Sequence, residues 1–358
     1  MENHKIRIAI TQGDSNGIGY ELIFKIFSEL EMFEICTPIV YGSSKIAGYQ
    51  SNVLQSQCQY KTIKDARDAQ DGHMNLLSCI DEGTHVDFGK ETIEGNTAAI
   101  KALEKALADT KEGLCDIIVC GAMSMGELQT NDNTFPGMVK FVENASGMKS
   151  QILPIYLNEL IRIAVCEITQ NTDENLTQEL LVEKVKSLHT SMKRDFRLSN
   201  PRIAILSENQ EAEAGEQEVI TNAVSELKAS GIQVFGSYQA ESFIEERKYE
   251  AFDAILAVNP EQAKSMLKAT SDSEAVIAFA NCPITYTMVD TDARYDIAGK
   301  NLADEAGLRN AIYTAIDICR HRKEYDKPMA NPLPKLYHER PDNGEKLRFS
   351  IPKKQEEA

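Results

Sequence analysis

The sequence predicts an α/β protein organised around a largely parallel sheet. Two observations carry that prediction: short apolar runs rich in β-branched residues recur along the chain, and stretches of helical periodicity, about fifteen residues each, separate them. The first run, 6–11 (IRIAIT), leads through glycines 13, 17 and 19 into a helix over 20–28. Runs at 38–41 (PIVY) and 116–120 (DIIVC) flank a helix over 96–111, which sets Ile100, Leu103 and Leu107 on one face. Asn96 or Thr97 is its expected N-cap, and Gly113 lies just past its end. Runs at 161–166 (IRIAVC) and 202–207 (RIAILS) enclose a helix over 177–196 that buries Leu181, Val185, Leu188 and Met192. A helix over 216–230, stopped by Gly231, precedes strands at 232–235 (IQVF) and 253–258 (DAILAV). A strand at 276–280 (VIAFA), a loop and a helix over about 301–322 complete the pattern. Strands alternating with helices of this length imply βαβ crossovers, and those require parallel pairing. From about residue 323, five prolines and clustered charges read as an extended tail.

Composition narrows the function classes. A net charge of −17 repels phosphate backbones and argues against nucleic acid as a partner. No apolar run approaches the ~18 residues of a membrane span, and the first residues lack a secretory apolar region. A cytoplasmic protein with a small-molecule ligand is the expectation. The eight cysteines are dispersed without a C-x-x-C pair, which predicts buried thiols rather than a zinc cluster.

The loop 11–19 (TQGDSNGIG) admits three readings from its residues alone. Glycines 13, 17 and 19 have the spacing of a short-chain dehydrogenase cofactor loop, and Tyr41 with Lys45 forms a Y-x-x-x-K pair. Gly13, Ser15 and Gly17 match the G-x-S-x-G nucleophile elbow. Both readings place chemistry before most of the sheet that would present it. The third makes the loop a tight turn lining a cleft, with Asp14 and Asn16 as its hydrogen-bonding side chains.

Downstream, the segment 289–300 (VDTDARYDIAGK) follows a buried strand and precedes a helix. Together with Gly13–Gly19 and Phe135-Pro136-Gly137, it resembles the 4-hydroxythreonine-4-phosphate dehydrogenase family of vitamin B6 synthesis, within the isocitrate and isopropylmalate dehydrogenase superfamily. The resemblance covers nearly the whole chain. It implies two α/β/α domains with a cleft between them, which we place at 1–125 plus 300–325 and at 126–299, with 326–358 as the tail. It also implies a homodimer, an NAD-linked oxidation, and a divalent cation held by three histidines as the Lewis acid.

This sequence departs from the family at the positions that matter for that chemistry. The metal-ligand positions fall on Thr169, Glu211 and Pro260. The substrate histidine and threonine fall on Met138 and Val139, and the substrate asparagine and arginine on Ile277 and Tyr286. Only the lysine, Lys268, is kept for binding an anion, while Asp296 and Lys300 keep the cofactor-side frame. The glycine of that loop is Asp292, which adds bulk and negative charge beside a pyrophosphate. None of the six histidines stands at a ligand position.

A catalytic cation supplies several kcal/mol, and losing ~5 kcal/mol slows a step by roughly 10³–10⁴-fold. The sequence therefore predicts a degenerate paralogue without bound metal and with weakened NAD binding. One alternative is a metal-independent NAD-linked oxidoreductase acting on another phosphorylated or hydroxy-acid substrate. Another is a regulatory or binding subunit paired with an active paralogue. A last one is a binder of a different ligand in an apolar cleft of Met123, Met125, Met138, Val139, Ile277 and Tyr286.

Overall fold

A computed structural model describes residues 5–80, 83, 85–131, 134–147, 152–166, 176–207 and 214–331. The chain starts with β1 (Ile6–Thr11), α1 (Gly19–Phe27), α2 (Met32–Ile35), β2 (Cys36–Gly42), α3 (Ser44–Val53), β3 (Tyr60–Ile63) and β4 (Met74–Ser78). It continues through α4 (Ile93–Lys111), β5 (Ile117–Cys120), the short hairpin β6 (Leu128–Gln129) and β7 (Thr134–Phe135), α5 (Met138–Ser146), β8 (Leu153–Leu157) and β9 (Arg162–Val165). Then come α6 (Gln178–Arg194), β10 (Ile203–Ser207), α7 (Ala214–Ala229), β11 (Val234–Gln239), α8 (Ala240–Glu245), β12 (Ala254–Ala257) and α9 (Pro260–Thr270). The antiparallel pair β13 (Val276–Ala280) and β14 (Thr285–Val289) leads into α10 (Ala306–Met329).

Twelve strands form one sheet in the order β11-β10-β12-β9-β8-β13-β14-β5-β1-β2-β4-β3. Pairing is parallel at both ends, and the two parallel blocks meet through β8 and β13, which run against their neighbours. The α/β class predicted from the sequence is therefore the observed one. Burial on both faces explains why the strands read as unbroken apolar runs: β1 sends Ile6, Ile8 and Ile10 to one cluster and Ala9 to the other. β14, within the predicted second segment, pairs with β5 of the first, so a single sheet runs through both.

Several boundaries differ from the sequence expectation. α4 begins earlier, because Thr92 caps it by accepting from the Gly95 N–H at 3.0 Å, while Asn96 and Thr97 lie inside the helix. α10 begins five residues later than expected, since 295–301 closes into turns through Ile297 N–H to the Arg294 carbonyl and Lys300 N–H to the Ile297 carbonyl. The same helix runs on to Met329, past the predicted start of the tail at 326, and carries Pro328 in its last turn. Residues 332–358 of that tail lie outside the described residues. All the described cysteines but Cys79 are buried. No described helix is long and apolar enough to cross a membrane.

Candidate functional site

In open parallel sheets, ligands sit at the carboxyl ends of the strands where the strand order reverses. Here that point lies between β1, which continues to β2 on one side, and β5 on the other. The loops above it are drawn together. Asp14 N–H donates to the Ala122 carbonyl at 3.0 Å, and a Cβ on Gly13 (φ 70°) would stand 2.3 Å from that same oxygen. Glycine is what permits so close a backbone approach.

Asp14 and Asn16, predicted to line a cleft, are buried in a joint between three segments. Asp14 accepts from the Asn16 N–H at 2.8 Å and from the Tyr295 hydroxyl at 2.5 Å. Asn16 donates through Nδ2 to Thr92 Oγ1 at 2.8 Å and accepts through Oδ1 from the Asp87 N–H at 2.8 Å. Ile18 N–H reaches the Ala293 carbonyl at 3.0 Å. The loop after β1 thus locks the start of α4 to the segment before α10. Burial raises the Asp14 carboxyl above its ordinary value, with the Tyr295 and Asn16 hydrogen bonds opposing that rise.

Positions 138, 277 and 286 come together, but as core. β13 turns Ile277 and Phe279 to the same side to which β14 turns Tyr286 and Met288, as the period-2 alternation of strands requires. Met138, at the start of α5, is 0% exposed, Ile277 0% and Tyr286 4%. The Tyr286 hydroxyl donates to Met138 Sδ at 3.1 Å, and its ring meets Phe279 edge-on at 5.3 Å. Burial, ahead of the nearby Cys120, pushes that hydroxyl well above its ordinary titration range. Of the six residues expected to line an apolar cleft, Met123, Met138, Ile277 and Tyr286 are buried in one core cluster, and Met125 and Val139 pack against it half-buried. A cavity that Tyr286 lines with Leu107, Phe141 and Cys282 measures only about 10 Å³, room for at most one water. Val139 is half-buried at its edge.

The cofactor-side frame is engaged locally. Arg294 grips the Asp296 carboxylate through two bonds of 3.0 and 2.9 Å, and Lys300 Nζ donates to the Asp296 carbonyl at 2.7 Å. The Arg294 bonds hold the Asp296 carboxyl below its ordinary value. Asp290 is raised, first by burial and then by Asp292. Lys268 is exposed on α9.

A family profile described as "Pyridoxal phosphate biosynthetic protein PdxA" matches residues 34–315. The chain belongs to the PdxA family. A 4-hydroxythreonine-4-phosphate dehydrogenase of Bacteroides thetaiotaomicron is 38% identical over 358 residues, with 98% of each chain covered. The crystal structure of the Klebsiella pneumoniae 4-hydroxythreonine-4-phosphate dehydrogenase superposes with a TM-score of 0.72 at 18% identity, covering 89% of this chain and 99% of that one. A β-decarboxylating dehydrogenase of Thermococcus kodakarensis superposes at 0.50 and 13% identity, over 91% and 89% of the two chains. At those identities the two structures speak for the fold alone.

The PdxA resemblance implies a divalent cation, and of the three positions expected from the sequence to hold it only residue 260 is among those described. Pro260 occupies N1 of α9, below the Asn259–Gln262 capping box, and its ring offers no donor atom. Thr169 and Glu211, the other two expected positions, lie outside the described residues. Among the described residues, no group of three His, Cys, Asp or Glu side chains is placed to hold a metal. The described histidines lie elsewhere, His321 bonding the Asp195 carbonyl at 2.7 Å.

Sequence reasoning placed Tyr295 in the family-like loop without giving it a role, and missed Thr92 and the buried Arg322–Asp195 pair, whose bonds measure 2.7 and 3.0 Å. Only Thr92, one residue before a helix, carried a readable signal.

Proposed function

We propose that this PdxA-family chain does not catalyse the oxidation for which its relatives are named, and serves as a non-catalytic binding or regulatory member of the family. The observation that carries this reading is the Tyr286–Met138 contact, 3.1 Å from hydroxyl to sulfur inside the core. Those two positions correspond to substrate-binding groups in the family, and here they satisfy each other. A phosphorylated substrate would have to displace packed side chains, and at positions 138 and 286 it would meet a thioether and a phenol. Pro260 supports the same reading, since a third ligand cannot come from its side chain. The carboxylates at 290 and 292 argue in the same direction against a pyrophosphate-bearing cofactor.

The test is direct. The purified chain is incubated with 4-hydroxythreonine 4-phosphate, NAD and magnesium or zinc, and NADH is followed by absorbance. The expected rate lies at least about 10³-fold below that of an active relative assayed alongside. Turnover within tenfold of the relative, abolished by substitution of Lys268, would end the proposal. Mixing the chain with the active relative reads the regulatory half: a change in the relative's rate or its co-elution supports it, and independent behaviour removes it.

A further inference from the structure

α2 and the outer side of α10 enclose a groove of about 490 Å³. Its floor is apolar, made by Met32, Ile35, Tyr313 and Ile316. Its rim is acidic: Glu29, Glu31, Glu34 and Asp317 face a single arginine, Arg320. Arg309 binds Glu29 from outside the groove, at 2.9 Å to one of its oxygens. Leu30, beside the groove, is 75% exposed and Tyr313 40%, while Met32 and Ile316 at the base of the groove are buried.

The chain carries one segment with the opposite character. Residues 346–354 read Lys-Leu-Arg-Phe-Ser-Ile-Pro-Lys-Lys, with basic residues at 346, 348, 353 and 354 and no acidic one. Leu347, Phe349 and Ile351 alternate with the others, which puts them on one face of any extended backbone. In a chain of net charge −17 this is an unusual stretch, and it lies outside the described residues. Its reach is sufficient. From Ile316 to the end of α10 is about 20 Å at 1.5 Å per residue, and the intervening 331–345 spans up to about 50 Å when extended.

We propose that residues 346–354 dock in the α2–α10 groove of their own chain, with Leu347, Phe349 and Ile351 on the apolar floor and the basic side chains against the acidic rim. Tethering by a short linker raises the segment's effective concentration to the millimolar range, so modest intrinsic affinity suffices. Docking covers the exposed Tyr313 ring on that floor and neutralises part of the rim.

The full-length protein tests this by carbodiimide coupling of carboxylates to amines, with the joined peptides mapped by mass spectrometry. The expected products join Lys346, Lys353 or Lys354 to Glu31, Glu34 or Asp317 in preference to other carboxylates. Couplings of those lysines spread over the acidic surface would overturn the proposal. A Phe349→Ser/Ile351→Ser variant keeps every lysine, and its groove-specific coupling should fall by about tenfold or more if the apolar face is seated. An unchanged yield in that variant would reduce the contact to diffuse attraction and refute the docking. Equal mixtures of heavy-isotope-labelled and unlabelled protein distinguish the occupant: same-mass pairs support the chain's own segment, and mixed pairs overturn it in favour of a second copy.

Discussion

Placing at position 286 the arginine that the family resemblance leads one to expect asks whether a substrate site survives. If the cleft were merely relabelled, Tyr286→Arg would place a guanidinium at the edge of solvent, at little cost. In this structure the side chain at 286 is 4% exposed and surrounded by Phe279, Met138 and Cys120. Losing the edge-on aromatic pair costs about 1 kcal/mol. Burying a guanidinium without a carboxylate costs several more, even after the neighbours relax. The total is at least about 4 kcal/mol, which should lower the urea midpoint by roughly 1 M. Tyr286→Phe is the control: it removes only a hydroxyl bonded to a weak sulfur acceptor and should cost about 1 kcal/mol or less. Both variants are measured by urea unfolding followed by circular dichroism, and both are assayed for NADH formation. An arginine variant within 1 kcal/mol of the parent, or one that gains binding of the phosphorylated substrate, would refute the argument that the site is closed.

Three further outcomes follow from the geometry. Arg322→Met leaves Asp195 buried without its bidentate partner and takes a donor from the Cys282 carbonyl, so unfolding measurements should show a loss of about 3–5 kcal/mol, while Asp195→Asn/Arg322→Met together should cost less. Gly17→Ala would put a Cβ 2.4 Å from the Ala293 carbonyl oxygen; a loss of about 1–3 kcal/mol, with faster hydrogen exchange across 290–301, is expected, and an unchanged protein would mean the joint is looser than drawn. The raised Asp14 carboxyl sets a pH dependence whose sign is fixed. Because the fold disfavours its charged form, stability contributed at low pH is lost as pH rises from the unfolded value near 3.8 through the raised folded value. Asp14→Asn, scanned by thermal unfolding, should flatten the profile over that window and keep the loop through the Tyr295 hydroxyl.

The α/β class and most strands were legible from the sequence because strands buried on both faces must be apolar throughout. The 276–280 run and β1 could hardly be anything else. The family was legible for a related reason: Gly13–Gly19, Phe135–Gly137 and the 295–300 turns need particular residues to let backbones approach or turn. Helix ends were harder to read, since Thr92, Asn96 and Thr97 could each cap α4, and only the partner each hydroxyl or amide finds in the folded chain chooses among them. That none of the six histidines stands at an expected ligand position could also be read from the sequence. What that reading could not reveal was whether Met138, Ile277 and Tyr286 line an emptied cleft or fill it. Residues 277 and 286 sit in one hairpin, where the pairing of β13 with β14 turns both to the same side, but residue 138 is far from them along the chain and reaches that side only when α5 packs there. The same holds for Asp14 and Asn16, whose polar atoms read as available until the loops at 87–92 and 293–295 close over them. Local sequence determines which backbone conformations are cheap, whereas whether a side chain faces water or a neighbour depends on contacts between distant segments, and those exist only once the sheet is assembled.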